Sequence, residues 1–415
     1  MPRTDPEGSE ARVAALRMLD AVLRRDETLD QSASYATRGL PPADAALARA
    51  IAGETLRRLP DLDALIDSRT RDPLPDDAKA RMVLRMALAQ KIGLGTPDHA
   101  VVATALPLVA NGPRRLVHGV LSNLLKGNLP EPHAARLPEA IERRWEKAWG
   151  DGVVEAARAA IPQRPPLDLS FSEEPQDFDG TRLAPLHRRL EDAGRVEMLP
   201  GFADGQWWVQ DLAASLPARL VPSEAQRVLD ACAAPGGKTM QLAAAGHDVT
   251  ALDRSEQRMK RLRQNLDRTG LSAEMVVADL NAWRPDGMFD AVLLDAPCSA
   301  SGTFRRHPEV LYRARDRVVG EMARVQAELL DSAALMVRPG GSLVYATCSL
   351  EPLEGEEAVR AFLERFPQFR VVPATSPIEG VEASEEGWIR VLPGMLENVG
   401  GLDGFFAAHL VRDGE

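Results

Sequence analysis

Cysteine is nearly absent from this sequence, with three residues in 415. So few thiols, and no Cys-x-x-Cys pair, exclude a disulfide framework and a structural zinc site and fit a reducing, cytoplasmic setting. Lysine is almost as sparse at six residues, so arginine carries nearly all of the positive charge. No run of about 18 apolar residues occurs, and no charged-then-apolar leader opens the chain, so neither a membrane span nor a signal peptide is expected. The net charge of -11 argues against a protein that coats nucleic acid nonspecifically, yet leaves room for RNA bound at a local basic patch. The length predicts two or three domains.

Residues 1–128 read as all helix. Apolar residues recur at helical spacing from Arg12 to Leu23, Pro41-Pro42 and Asp72-Pro-Leu-Pro75 mark breaks, and 81–94 and 113–125 are further amphipathic runs. Composition fits a helical scaffold as well as an RNA-contacting bundle. In the second reading Arg114, Arg115 and Lys126 are candidate phosphate contacts. Residues 129–205, rich in Pro, Glu and Arg, read as a connecting α+β element with one short strand near 164–171. From 206 to 415 strands alternate with helices. The strands are expected at 227–230, 248–253, 274–279, 289–295 and 342–346, and the helices at 238–245, 255–269 and 318–337. This pattern describes a doubly wound α/β sheet, which binds ligands beyond the carboxyl ends of its strands.

Each cysteine lies at such a strand end. Cys232 sits in Asp230-Ala-Cys-Ala-Ala-Pro-Gly-Gly-Lys-Thr239, Cys298 in Asp295-Ala-Pro-Cys-Ser299, and Cys348 in Tyr345-Ala-Thr-Cys-Ser349. A strand that ends in Asp230, turns through glycines into a helix and is followed by Asp253 at the next strand end suits a nucleotide-like cofactor whose ribose is gripped by a carboxylate. Asp279 ends the third strand, placed for an adenine edge. The candidate cofactor set is Cys232, Ala233, Ala234, Pro235, Gly236, Gly237 and Lys238 with Asp253, Asp279 and Asp295. A single strand-end acid is commonly just a turn-former; three in register are a stronger signal. A P-loop ATPase is the rival reading of Gly237-Lys238-Thr239, but its first glycine is replaced by Cys232, which leaves no backbone wrap for phosphates.

The order Asp-Ala-Pro-Cys-Ser, Arg305-Arg-His-Pro308 and Thr-Cys-Ser resembles the Nol/Nop/Sun RNA cytosine-5 methyltransferases, and Ala-Pro-Gly-Gly-Lys-Thr, Val209-Gln-Asp211 and Asp403-Gly-Phe-Phe406 belong to the same pattern. The helical N-terminus resembles the NusB-type domain of the RsmB (Sun/Fmu) branch, which methylates small-subunit ribosomal RNA. The resemblance covers essentially the whole chain; Ala346, where many relatives carry Ser, is a mild departure. It implies a Rossmann-like methyltransferase sheet at 206–415 behind a NusB-like helical RNA-binding domain at 1–128. It also implies S-adenosylmethionine as cofactor, RNA as partner, and no metal. A monomer is expected.

The chemistry asks for these groups independently. Carbon 5 of cytosine is a poor nucleophile until a thiolate adds at carbon 6, and a carboxyl group at N3 and the exocyclic amine, for which Asp295 is placed, supports that addition. A second thiol or base then helps to eliminate the hydrogen at carbon 5. Spacing alone leaves open which cysteine attacks. The resemblance assigns attack to Cys348 and release to Cys298, whereas DNA cytosine methyltransferases attack with the Pro-Cys thiol. Cys232 reads as a small packed residue of the cofactor loop. Arg305, Arg306 and His307 are candidate contacts to RNA phosphates, or else a charged surface loop. Trp207 and Trp208 read as core, with base stacking the alternative. Two other function classes compete: a noncatalytic RNA-binding assembly factor, which has no need of Asp295, Cys298 and Cys348, and the ATPase.

Overall fold

Seven helices follow from the N-terminal apolar spacing: α1 (Ser9–Arg25), α2 (Leu29–Ala36), α3 (Pro42–Arg57), α4 (Leu59–Asp67), α5 (Lys79–Leu94), α6 (Asp98–Ala105) and α7 (Asn111–Lys126). Their ends are set locally. Thr28 and Gln31 form a reciprocal capping box at α2, and the Pro41-Pro42 break proves to be the start of α3, where proline's missing N–H costs nothing. Helix α5 is buried from Ala80 through Gln90, so it is the axis of the bundle. Its two arginines are buried with partners: Arg85 forks onto both carboxylate oxygens of Asp63 at 2.7 Å, and Arg81 onto those of Asp67 at 2.8 and 3.0 Å.

Next come α8 (Glu139–Trp149), α9 (Asp151–Ala160) and four short strands, β1 (Leu167–Phe171), β2 (Thr181–Ala184), β3 (His187–Leu190) and β4 (Trp207–Val209). The strands form an antiparallel sheet in the order β2-β3-β1-β4. Sequence reading found only one of them, and β4 comes from beyond residue 205, where the connecting element was expected to end. Trp207 packs against Phe171 and Leu169 with no exposure and Trp208 is 2% exposed, so both tryptophans are core. Arg189 grips both oxygens of buried Asp168 at 2.6 and 2.7 Å and also donates to the carbonyls of Val399 and Gly401.

A short helix α10 (Leu216–Arg219) leads to the large sheet, made of β5 (Arg227–Ala231), β6 (Asp248–Asp253), β7 (Glu274–Val277), β8 (Phe289–Asp295), β9 (Val337–Thr347), β10 (Phe369–Val372), β11 (Ile389–Val391) and β12 (Phe405–Arg412). Between them run α11 (Gly237–Ala244), α12 (Glu256–Thr269), α13 (Val310–Arg313), α14 (Asp316–Met336) and α15 (Glu356–Arg365). The strand order is β10-β12-β9-β8-β5-β6-β7, with β11 paired to β12. Strands β5 to β9 are parallel, as expected. β12, absent from the sequence reading, enters antiparallel between β9 and β10. Both faces are covered: α14 and α15 pack Leu330, Ala333, Val359 and Phe362 on one, α10 and α11 pack Leu216 and Leu242 on the other. That is why β8 reads as a nearly unbroken apolar run.

This computed structural model describes residues 8–127, 129, 135–191 and 193–414. They divide into a helical unit (up to 143, with 155–163 and 304–313) and a sheet unit (144–154, 164–303 and 314–415). The segment that follows the Cys298 loop thus belongs with the helices: the Tyr312 hydroxyl donates to the Leu56 carbonyl at 2.7 Å, and Glu309 accepts from the Leu29 N–H at 3.2 Å. No described helix is long and apolar enough to cross a membrane.

Candidate active site

The carboxyl ends of β5, β6, β8 and β9 bring the singled-out residues together. A cavity of about 450 Å³ is lined by Cys232, Asp253, Asp279, Asp295, Cys298 and Cys348 among others, and a neighbouring one of about 360 Å³ shares Cys232 and Asp295 with it. The second cavity adds the glycine-rich turn, Lys238, Asp211 and Trp208.

The turn after β5 is shaped by its smallest residues. Gly236 has φ of 108°, and a Cβ there would stand 2.9 Å from the Leu262 side chain of α12, so only glycine lets the turn close against that helix. Asp230 is wholly buried. Thr239 donates to its Oδ2 at 2.6 Å, its Oδ1 has no hydrogen-bond partner among the described residues, and burial pushes its pKa up to about 7. The Thr of Gly-Lys-Thr is therefore spent on Asp230 and not on a phosphate-bound cation. Burial also pushes the Cys232 thiol up to about 12, which suits a packing role.

Asp253 is 2% exposed. Its oxygens accept from the N–H groups of Ser255 (2.8 Å) and Ala234 (3.3 Å) and pair with Arg258 (3.0 Å), so it fixes the turn as well as facing the cavity. Asp279 is exposed and accepts from the Asn281 N–H at 2.9 Å. Ser255 caps α12, its hydroxyl accepting from the Arg258 N–H.

Sequence reading missed the partner of Asp295. Lys238 Nζ lies 2.7 Å from Asp295 Oδ2 and 5.2 Å from the Phe405 ring centre. Burial alone would lower the lysine, but the Asp295 carboxylate outweighs it and the net shift is upward. Lys238 is thus a charged donor locked to the strand-end acid, which removes it from the phosphate-cradling role of a P-loop.

Cys298 and Cys348 converge, their Sγ atoms 3.5 Å apart. The Cys298 thiol is held well above the usual range by its contact with Cys348 and by burial. Backbone closeness makes this convergence possible. Gly302 donates to the Cys348 carbonyl at 3.0 Å, and Gly404 donates to the Gly302 carbonyl at 2.8 Å. A Cβ on Gly302 would sit 2.1 Å from the Gly404 oxygen, so the glycine of Asp403-Gly-Phe-Phe406 is the point where β12 meets the Cys298 loop.

The weaker candidates fare unevenly. Arg305 is 5% exposed, Arg306 half-buried and His307 exposed, all in the helical unit. Arg114, Arg115 and Lys126 are exposed on α7. Among the described residues no group of three or more His, Cys, Asp or Glu is set to hold a metal ion.

The donor set fits S-adenosylmethionine. Strand-end carboxylates can accept from ribose hydroxyls and an adenine amine, and an acid-lined cavity suits a cationic sulfonium. Comparison with known proteins agrees. Residues 217–411 match the model of the 16S rRNA methyltransferase RsmB/F family, and residues 9–126 that of the NusB family. Ribosomal RNA small subunit methyltransferase B of Vibrio vulnificus is 33% identical over 97% of this chain and 99% of its own length, and that of Erwinia tasmaniensis 32% identical over 97% and 98%. Among solved structures, PH0851 superposes with a TM-score of 0.74 at 24% identity, covering 98% of this chain and 99% of its own, which shows the shared fold. A methyltransferase homologue from Pyrococcus horikoshii aligns at 26% identity and TM-score 0.54 over 70% of this chain and 98% of its own. A NusB-type bundle joined to a methyltransferase sheet, with relatives matched from end to end, places the chain in the RsmB/F family of 16S rRNA methyltransferases, whose methyl donor is S-adenosylmethionine.

Proposed function

We propose that this protein methylates carbon 5 of a cytosine in small-subunit ribosomal RNA, through a transient bond between Cys348 and carbon 6 of the base. The observation that carries the reading is the meeting of two thiols 3.5 Å apart on a cavity that also holds Asp295. A methyltransferase acting on an exocyclic amine has no use for a thiol pair.

S-adenosylmethionine, when bound, supplies an electrophilic methyl group. Asp253 and Asp279 would hold its ribose and adenine, and the turn at 232–238 its remaining backbone contacts. Asp295, steadied by Lys238, accepts a hydrogen bond from the exocyclic amine of the cytosine, while the Lys238 ammonium is the nearby proton source. Cys348 attacks as thiolate: its sulfur bonds to carbon 6, and the electron pair of the 5,6 double bond moves to carbon 5, which takes the methyl group. A base removes the carbon 5 proton, the double bond re-forms and the sulfur leaves. Cys298, its sulfur 3.5 Å from that of Cys348, sits where it can serve that last stage.

The reading is tested by incubating the protein with labelled S-adenosylmethionine and small-subunit ribosomal RNA from cells lacking the gene. Label should appear in 5-methylcytosine at one position. Label in any other nucleoside, or none, overturns it.

A further inference from the structure

Four glutamates crowd into residues 351 to 357, and three of them are buried: Glu351 at 3%, Glu354 at 0% and Glu356 at 7% exposure. Glu351 and Glu356 each bond an arginine, Arg144 and Arg390. Among the described residues Glu354 has no cationic partner; it is held by hydroxyls and amides instead. Its carboxylate accepts from the Ser299 N–H at 2.8 Å, from the Ser299 and Ser349 hydroxyls, and from the Gln326 amide at 3.2 Å. Ser299 and Ser349 are the residues that directly follow Cys298 and Cys348.

We propose that Glu354 is a positioning residue that holds the two thiols at one separation by clamping the serine behind each of them. The arrangement rests on the two-thiol reading above. The clamp is itself anchored. The Glu354 carbonyl accepts from the Tyr345 hydroxyl at 2.8 Å and the Thr347 hydroxyl at 3.2 Å on β9, and Gln326 also donates to the Pro297 carbonyl at 2.9 Å. One side chain thus ties the β8 loop, the end of β9 and α14 to a common point. Burial raises the Glu354 pKa while the serine hydrogen bonds oppose the rise. A fully buried carboxyl without an arginine is costly, and all four of the donors it collects serve the two thiol loops or the helix that braces them.

The test reads thiol geometry without any RNA. The azo oxidant diamide takes two hydrogens from a pair of thiols and leaves a disulfide, and its rate within one protein depends on how closely the sulfurs are held. Full-length wild type should form the Cys298–Cys348 disulfide rapidly. In Glu354→Ala the rate should fall about tenfold or more and kcat about a hundredfold, as expected for loss of ångström-scale positioning, with the S-adenosylmethionine Kd unchanged within about twofold. Glu354→Gln, whose amide can still bond both serines, should restore disulfide formation to within about threefold of wild type. If Glu354→Ala does not fold, the double variant Ser299→Ala/Ser349→Ala removes the other ends of the clamp and should slow the disulfide equally. A wild-type rate in the folded variants overturns the proposal, as does an absence of disulfide in wild type or a parallel loss of cofactor affinity. Methylation that survives Cys348→Ala would instead overturn the two-thiol reaction, leaving the diamide result to judge Glu354 separately.

Discussion

The helical unit and the strand ends of the large sheet both bury charge, but to different ends. In the helical unit Arg81 and Arg85 are 4% exposed and fully engaged by Asp63 and Asp67; the charges are spent on holding α4 to α5. In the sheet unit acids are buried at strand ends and left partly open. Asp230 keeps an oxygen without a partner among the described residues, and Asp253 and Asp295 line a cavity. A buried ion pair complete in itself points to architecture, while buried acids clustered beside thiols and a cavity point to chemistry. By this difference the sheet unit carries the chemistry, and the buried charge of the helical unit serves its architecture.

The sharpest way to break the contrast is Cys348→Ala, which should reduce methylation to roughly 10⁻⁴ of wild type or lower, as for loss of a covalent nucleophile. Measured turnover near wild type would return the strand-end thiols to the status of packing. Next in size, Asp253→Ala should weaken S-adenosylmethionine binding by about 1.5–3 kcal/mol, read by titration calorimetry on a variant whose Tm shows it folded. Unchanged affinity would leave Asp253 with only its turn-fixing role. For the helical unit, Arg114→Glu/Arg115→Glu should lower RNA affinity and reduce the salt slope of binding by about one to two, with cofactor affinity untouched. An unaltered slope would remove α7 from the RNA surface.

A further prediction concerns stability and Asp230. Its folded pKa of about 7 exceeds the unfolded value of about 3.9. The stability contributed by the protonated form is therefore fully present below about pH 4 and is lost as pH rises through about 7. Asp230→Asn cannot lose a proton, so its Tm relative to wild type should climb between pH 4 and pH 8. A difference that stays flat over that range would show Asp230 to be ionised throughout.

Much of this was legible in the sequence because function sits at strand ends. The five parallel strands each close on a short motif, and Ser255 and Gly270 bracket α12 as helix signals should. What escaped depends on contacts distant in sequence. Phe405–Arg412 has apolar content but neither clean period, so its antiparallel insertion as β12 was not readable. Lys238 and Asp295 are 57 residues apart, and nothing in either motif announces the pair. Nothing in the sequence singles out Glu354 among the glutamates of 351 to 357; only the fold shows that it faces inward beneath both thiols. Three of the four strands of the small sheet were missed for a similar reason, since they run three or four residues, too short for alternation to show.

The two thiols proposed to attack and to release can be separated on one gel. Wild type, Cys298→Ala and Cys348→Ala are each incubated with small-subunit ribosomal RNA and S-adenosylmethionine, then run under denaturing conditions. Cys298→Ala should trap a protein–RNA adduct, because attack and methyl transfer proceed while release is impaired, and Cys348→Ala should show none. An adduct with Cys348→Ala and none with Cys298→Ala would contradict the assignment and exchange the two roles.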